Sequence, residues 1–96
     1  MTGKNAYVEK AEARIAEWEA ELKKLSAKAK DARADTRIEI EKNIERLRSE
    51  RRRLEEMLDD MRKRSETAFE DLQSGFEEAS RKLAESLKAA RSRFGL

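Results

Sequence analysis

Apolar residues recur along this chain in steps of three and four. The first stripe runs Val8, Ala11, Ile15, Trp18, Leu22, Leu25, Ala29 and Ala32, and from Ala11 its steps alternate four and three. That spacing is the seam of a heptad helix. The stripe thins to alanine at 29 and 32, and the segment from Lys28 to Arg37 (KAKDARADTR) is its weakest part. Thr36 and Glu39 have capping-box spacing, with Asp35 just before them, so a helix can restart here. No glycine or proline forces a break, however, and one slightly unwound helix accounts for the same residues. The stripe resumes at Ile40, Ile44, Leu47, Leu54, Leu58 and Met61. Arg51 falls on it as well. Its stem can pack while its head reaches water, or it can fix the register of the packing.

The last third follows another period. From Glu66 it divides into units of eleven, ETAFEDLQSGF, EEASRKLAESL and a shortened KAARSRFGL. One column holds Ala68, Ala79 and Ala90, a second Leu72, Leu83 and Phe94, a third Phe76 and Leu87. Eleven residues make three turns at about 3.67 residues per turn, which keeps these columns on one helical face. Ser65 is the best candidate for a turn, and Thr67 with Glu70 repeats the capping-box spacing. Acidic residues then lead (Glu66, Glu70, Asp71) and basic ones close (Lys88, Arg91, Arg93), as a helix dipole favours. Gly95 suits the residue after a helix end. Gly75 marks either a close helix contact or a kink beside Ser74.

These elements predict a single all-α domain over residues 1–96. The leading arrangement is an elongated antiparallel helical hairpin or coiled coil, with a long helix over about 5–64 and a second over about 66–94. Residues 1–6 read as a frayed start with Asn5 as N-cap. The alternative is a spectrin-like three-helix bundle with an extra break near 35, and an unbroken rod that must oligomerise comes third. Composition agrees with all three: 46% of residues are charged, 5% are aromatic, and proline and cysteine are absent.

Composition also narrows the chemistry. Without histidine or cysteine the chain lacks the commonest bases, nucleophiles and transition-metal ligands. Adjacent carboxylates such as Glu55-Glu56 and Asp59-Asp60 point about 100° apart on a helix and cannot close on one substrate. Glu55 with Asp59, and Glu56 with Asp60, would chelate a hard cation only weakly, so they read as a solvated flank. No phosphate-loop, dinucleotide, calcium-loop or nucleophile-elbow motif is present. The expectation is a protein that is not an enzyme, with no catalytic residues, no cofactor, no metal and no small-molecule substrate.

Three kinds of partner remain. The residues expected to form a core or interface are Ile15, Trp18, Leu22, Leu25, Ile40, Ile44, Leu47, Leu54, Leu58, Met61, Phe69, Leu72, Phe76, Leu83, Leu87 and Phe94. Their spacing favours helix–helix self-association into a homo-oligomer. The alternative is a lipid surface, into which Phe69, Leu72, Phe76, Leu83, Leu87 and Phe94 would sink. Nucleic-acid binding through Arg46, Arg48, Arg51, Arg52, Arg53, Arg62, Lys63 and Arg64 is third and weak. Glu45, Glu50, Glu55 and Glu56 interrupt that stretch, no aromatic residue stands in it, and net charge is only +2. The longest apolar run, Ala6-Tyr7-Val8, is too short for a membrane span or a signal-peptide core.

From Tyr7 to Phe94 the chain resembles small bacterial coiled-coil proteins described as stress-response proteins. The resemblance is carried by Glu17-Trp18 with Leu22 and Leu25, by the Ala/Lys/Asp run into Arg37-Ile38-Glu39, and by Ala68-Phe69-Glu70-Asp71-Leu72 before Gly75. Members of that family commonly have tryptophan where this chain has Phe69, and an aromatic residue where it has Phe76. The resemblance implies a soluble helical protein linked to stress, of unknown mechanism, and it supplies no catalytic residues; the absence of cysteine suits a cytoplasmic setting.

Overall fold

The computed structural model describes residues 3–95. Three helices follow one another, α1 (Gly3–Ala29), α2 (Ala34–Lys63) and α3 (Glu66–Arg93), and no strand occurs among the described residues. The domain is all-α, and of the arrangements open to the sequence it is the three-helix bundle. The body measures 50 × 19 × 18 Å. The 30 residues of α2, at about 1.5 Å each, span about 45 Å and account for the long axis. Glu12 meets Arg62 and Glu19 meets Arg51, so numbers fall along α2 as they rise along α1. Arg93 meets Glu39, so α3 runs back along α2. Helices α1 and α3 are therefore parallel, as the pairs Tyr7–Phe69 and Glu21–Arg91 show.

The helix expected over 5–64 is divided at 30–33. No break-forming residue type causes this. The end of α1 tightens into bonds from the N–H of Lys30, Asp31 and Ala32 to carbonyls three residues back. Arg33 then turns extended, with φ −62° and ψ 155°. The Arg37 guanidinium reaches back and donates to the carbonyls of Ala29 (3.3 Å) and Lys30 (2.9 Å), fastening the end of α1 to the first turn of α2. The capping box expected at Thr36 is not used: α2 already begins at Ala34, and the Thr36 N–H takes the Asp35 carboxylate instead.

The second turn is built differently. Arg64 and Ser65 are both extended, and the Ser65 hydroxyl accepts from the Ala68 N–H at 3.3 Å. The cap of α3 is thus Ser65, with Thr67 inside the first turn. Gly95 lies after the last turn at φ +71°, a left-handed conformation that glycine adopts without strain. Helix α1 starts at Gly3, ahead of the cap expected at Asn5. The frayed start expected at Met1 and Thr2 lies outside the described residues.

The core is one continuous cluster along the bundle axis. Helix α1 gives it Val8, Ala11, Ile15, Trp18, Leu22, Leu25 and Ala29, and α2 gives Ile40, Ile44, Leu47, Leu54, Leu58 and Met61. Helix α3 gives Phe69, Phe76, Leu83, Leu87 and Ala90. The buried positions of α3 also include Ser80, so from Phe76 they step four, three, four, three. Its packed face therefore follows the heptad of its neighbours. The eleven-residue columns lie across it: Phe76, Leu83, Leu87 and Ala90 are buried, while Ala68, Leu72, Ala79 and Phe94 sit half-buried at its edges.

Candidate functional site

The side chains that the sequence nominates for contact all face one place, the interior of the bundle. Ile15, Trp18, Leu22, Leu25, Ile40, Ile44, Leu47, Leu54, Leu58, Met61, Phe69, Phe76, Leu83 and Leu87 are buried, and Leu72 and Phe94 are partly buried against them. The only large hydrophobic side chain left exposed among the described residues is Ile38, at 55%. A seam closed this completely within one chain offers no bare apolar stripe to a partner while the bundle is shut.

The seam is interrupted at mid-length by polar groups. Arg51 occupies the α2 position between Leu47 and Leu54, and its Nε lies 2.9 Å from a Glu19 carboxylate oxygen on α1. Arg48 stands 4.0 Å from the same carboxylate, and Glu55 pairs with Arg51 one turn on. On α3 a further polar residue, Ser80, is buried, with no hydrogen-bond partner for its hydroxyl among the described residues. Sequence reasoning placed Arg51 on the seam but missed Ser80. Its signal was there in the four-three spacing Phe76, Ser80, Leu83, Leu87.

A second site forms where α1 passes the start of α3. The Tyr7 ring meets Phe69 edge-on, with centroids 5.4 Å apart, and lies 6.1 Å from Phe76. Its hydroxyl donates to the Glu77 carboxylate, which Arg14 also approaches. Burial, reinforced by the Glu77 charge and hydrogen bond, pushes the phenol well above its ordinary range, and Arg14 opposes the shift. Tyr7 was the missed residue here, visible in the sequence only as part of the short run Ala6-Tyr7-Val8.

Most of the charged candidates pair with other charges. Of the carboxylates weighed as cation ligands, Glu55 pairs with Arg51, Asp59 with Arg62 and Lys63, and Asp60 with Arg64. Among the described residues no group of acidic side chains forms a metal-binding cluster. Within the basic stretch, Arg48 and Arg51 turn to Glu19, Arg62 reaches Glu12, and Arg46 donates to Asn43, leaving Arg52 and Arg53 exposed. A groove of about 530 Å³ between α1 and α2 is rimmed by these same ion pairs, Glu12–Arg62 and Glu19–Arg51 among them. A groove of about 310 Å³ between α2 and α3 has Leu54, Met57 and Ala79 at its floor, and Glu50, Arg53, Glu78 and Lys82 at its rim. No described helix is long and apolar enough to cross a membrane.

No family model matches the chain, and comparison with the curated proteins and with the solved structures gives no match.

Proposed function

We propose that this chain is a non-catalytic helix-packing module that acts by associating with further copies of itself. The observation that carries the reading is where the chain's chemistry is placed. Its apolar residues are committed to helix packing, and a set of its charged residues pairs across helices to fix the register of that packing, as Glu12–Arg62, Glu19–Arg51 and Glu21–Arg91 do. The resemblance to bacterial stress-response coiled coils rests on packing residues such as Trp18, Leu22, Leu25 and Phe69, and through it the proposal acquires a stress-linked setting; the absence of cysteine suits a cytoplasmic one.

The lipid-surface reading uses the same stripe of α3, and that stripe faces α1 and α2. Lipid would have to open the bundle to reach Phe69, Phe76, Leu83 and Leu87. Self-association through the seam also requires a helix to part from its bundle, but that helix then re-docks on an identical packed surface in another copy, whereas lipid would replace the packed contacts altogether. Light scattering over a concentration series tests it, with Leu22→Asp as the control that abolishes packing. A mass that rises with concentration in the parent protein is the expected result. A parent protein that stays at single-chain mass at every concentration would defeat the proposal, and blue-shifted Trp18 emission on adding anionic vesicles would favour lipid instead.

A further inference from the structure

We propose that the connection between α1 and α2 is a hinge that straightens, so that two copies of this chain exchange their first helices and form a swapped dimer. The inference rests on the self-association reading and specifies its route. With the seam closed inside one chain and Ile38 the large hydrophobe left outside among the described residues, an exchange of helices is the way for the seam to join two chains.

The hinge has the chemistry for this. Lys30 to Arg33 contains no glycine or proline, and no non-glycine residue in the described chain has positive φ. Its N–H groups at 30, 31 and 32 are already in helix-like bonds three residues back. Arg33 has a helical φ of −62° and departs only in ψ, at 155°. Turning that angle to about −42° returns it to the helix. The N-cap residue of α2, Arg33, makes no side-chain cap, whereas Ser65 caps the start of α3. The two turns of the bundle are therefore unequal, and the one whose N-cap residue makes no cap lies between α1 and α2.

The closed hinge is held by Arg37, whose guanidinium occupies the carbonyls of Ala29 and Lys30. In a straight helix those carbonyls would accept instead from the N–H groups of Arg33 and Ala34, four residues on. The carbonyls are satisfied in either form. Residues 3–63 would then make one rod of about 90 Å. The α1 of each copy would lie on the α2 and α3 of the other and re-form Glu12–Arg62, Glu19–Arg51 and Tyr7–Phe69 between chains. Exchange of an identical element changes few contacts, so the two forms differ chiefly at the hinge.

The absence of cysteine makes the route testable in the full chain. Glu12→Cys and Arg62→Cys together replace one exposed ion pair with thiols that a short bis-maleimide can bridge. The protein is refolded at concentrations on the order of millimolar, comparable to the effective concentration within one chain. Monomer and dimer are separated by size, bridged, and run under denaturing conditions. The dimer fraction should give covalent dimers and the monomer fraction single chains bridged internally. Arg37→Met should tighten dimerisation by on the order of tenfold, because it removes hydrogen bonds made only in the closed hinge. Ala34→Pro should abolish the dimer and leave a helical monomer, since proline suits the first helical position and keeps the preceding residue extended. A dimer fraction bridged only within single chains would overturn the hinge while leaving self-association standing. Single chains at every concentration, in both the parent and Arg37→Met, would overturn both.

Discussion

Arg51 of α2 and Glu19 of α1 form an ion pair at 2.9 Å across the middle of an otherwise apolar seam. The Arg51 side chain is 16% exposed and that of Glu19 28%, so the pair lies between a surface bridge and a buried one. Partial burial lowers the attraction's net worth, because both charges lose hydration. The arginine stem, by contrast, fills a seam position between Leu47 and Leu54. Arg51→Ala should therefore cost about 2 kcal/mol, whereas Arg51→Leu should stay within about 1 kcal/mol of the parent. Arg48, 4.0 Å from Glu19, remains to answer the carboxylate. Urea midpoints decide the matter: equal losses in the two variants would mean that the charge pair, not the stem, supports the seam.

Gly75 lies in the interior of α3, exposed, and a methyl group built there meets nothing within 4 Å. A close helix contact is not made at this position, and the helix runs through it unbroken. Gly75→Ala should then raise stability by about 1 kcal/mol through helix propensity alone. For a domain of this size that is about 4–8 °C in melting temperature. A fall in melting temperature would show that the glycine serves a contact made outside the single chain.

Ser80 gives the opposite case, a polar group inside the seam. Its hydroxyl is buried without a hydrogen-bond partner among the described residues, which costs more than a solvated hydroxyl. Ser80→Ala should stabilise the bundle by about 1–2 kcal/mol, the sum of removing that group and of better helix propensity. Ser74→Ala, at an exposed position of the same helix, isolates the propensity part at about 0.5 kcal/mol. If thermal melts show the same gain for both, the Ser80 hydroxyl is satisfied in solution.

These three positions also show which features the chain declares. Trp18, Leu22, Leu47 and Leu58 were readable as core because burial of a helix face imposes a period that survives in one dimension. The α1–α2 turn was not. Its deciding interaction is Arg37 reaching eight residues back to the Ala29 carbonyl, a contact that exists only once the chain has turned, and no residue type at 30–33 announces it. Ser80 was hidden for a subtler reason. Eleven- and seven-residue periods differ by little over one repeat, so Ala79 and Ser80 compete for the same face, and only the neighbouring helices decide between them. Tyr7 took its role from Phe69 and Glu77, far along the chain.

Tyr7 yields a pH dependence with a defined sign. The folded bundle favours its neutral phenol, through burial first and the Glu77 carboxylate second, so its folded pKa is raised above the ordinary value near 10. Below pH 10 both folded and unfolded chains hold the proton, and the stabilisation is fully present. Above it the unfolded chain releases the proton first, so the folded state binds more protons and stability falls as pH rises. Lysines titrate in the same range, so the difference between the parent and Tyr7→Phe is the informative quantity. The phenylalanine variant keeps the ring contacts with Phe69 and Phe76, and its stability should decline less steeply in the alkaline range. Because the chain has a single tyrosine, its tyrosinate absorbance reports this one group. The midpoint should lie above 10 in the folded protein and return to about 10 in concentrated urea. Coincident midpoints would show that the Tyr7–Glu77 link between α1 and α3 does not form in solution.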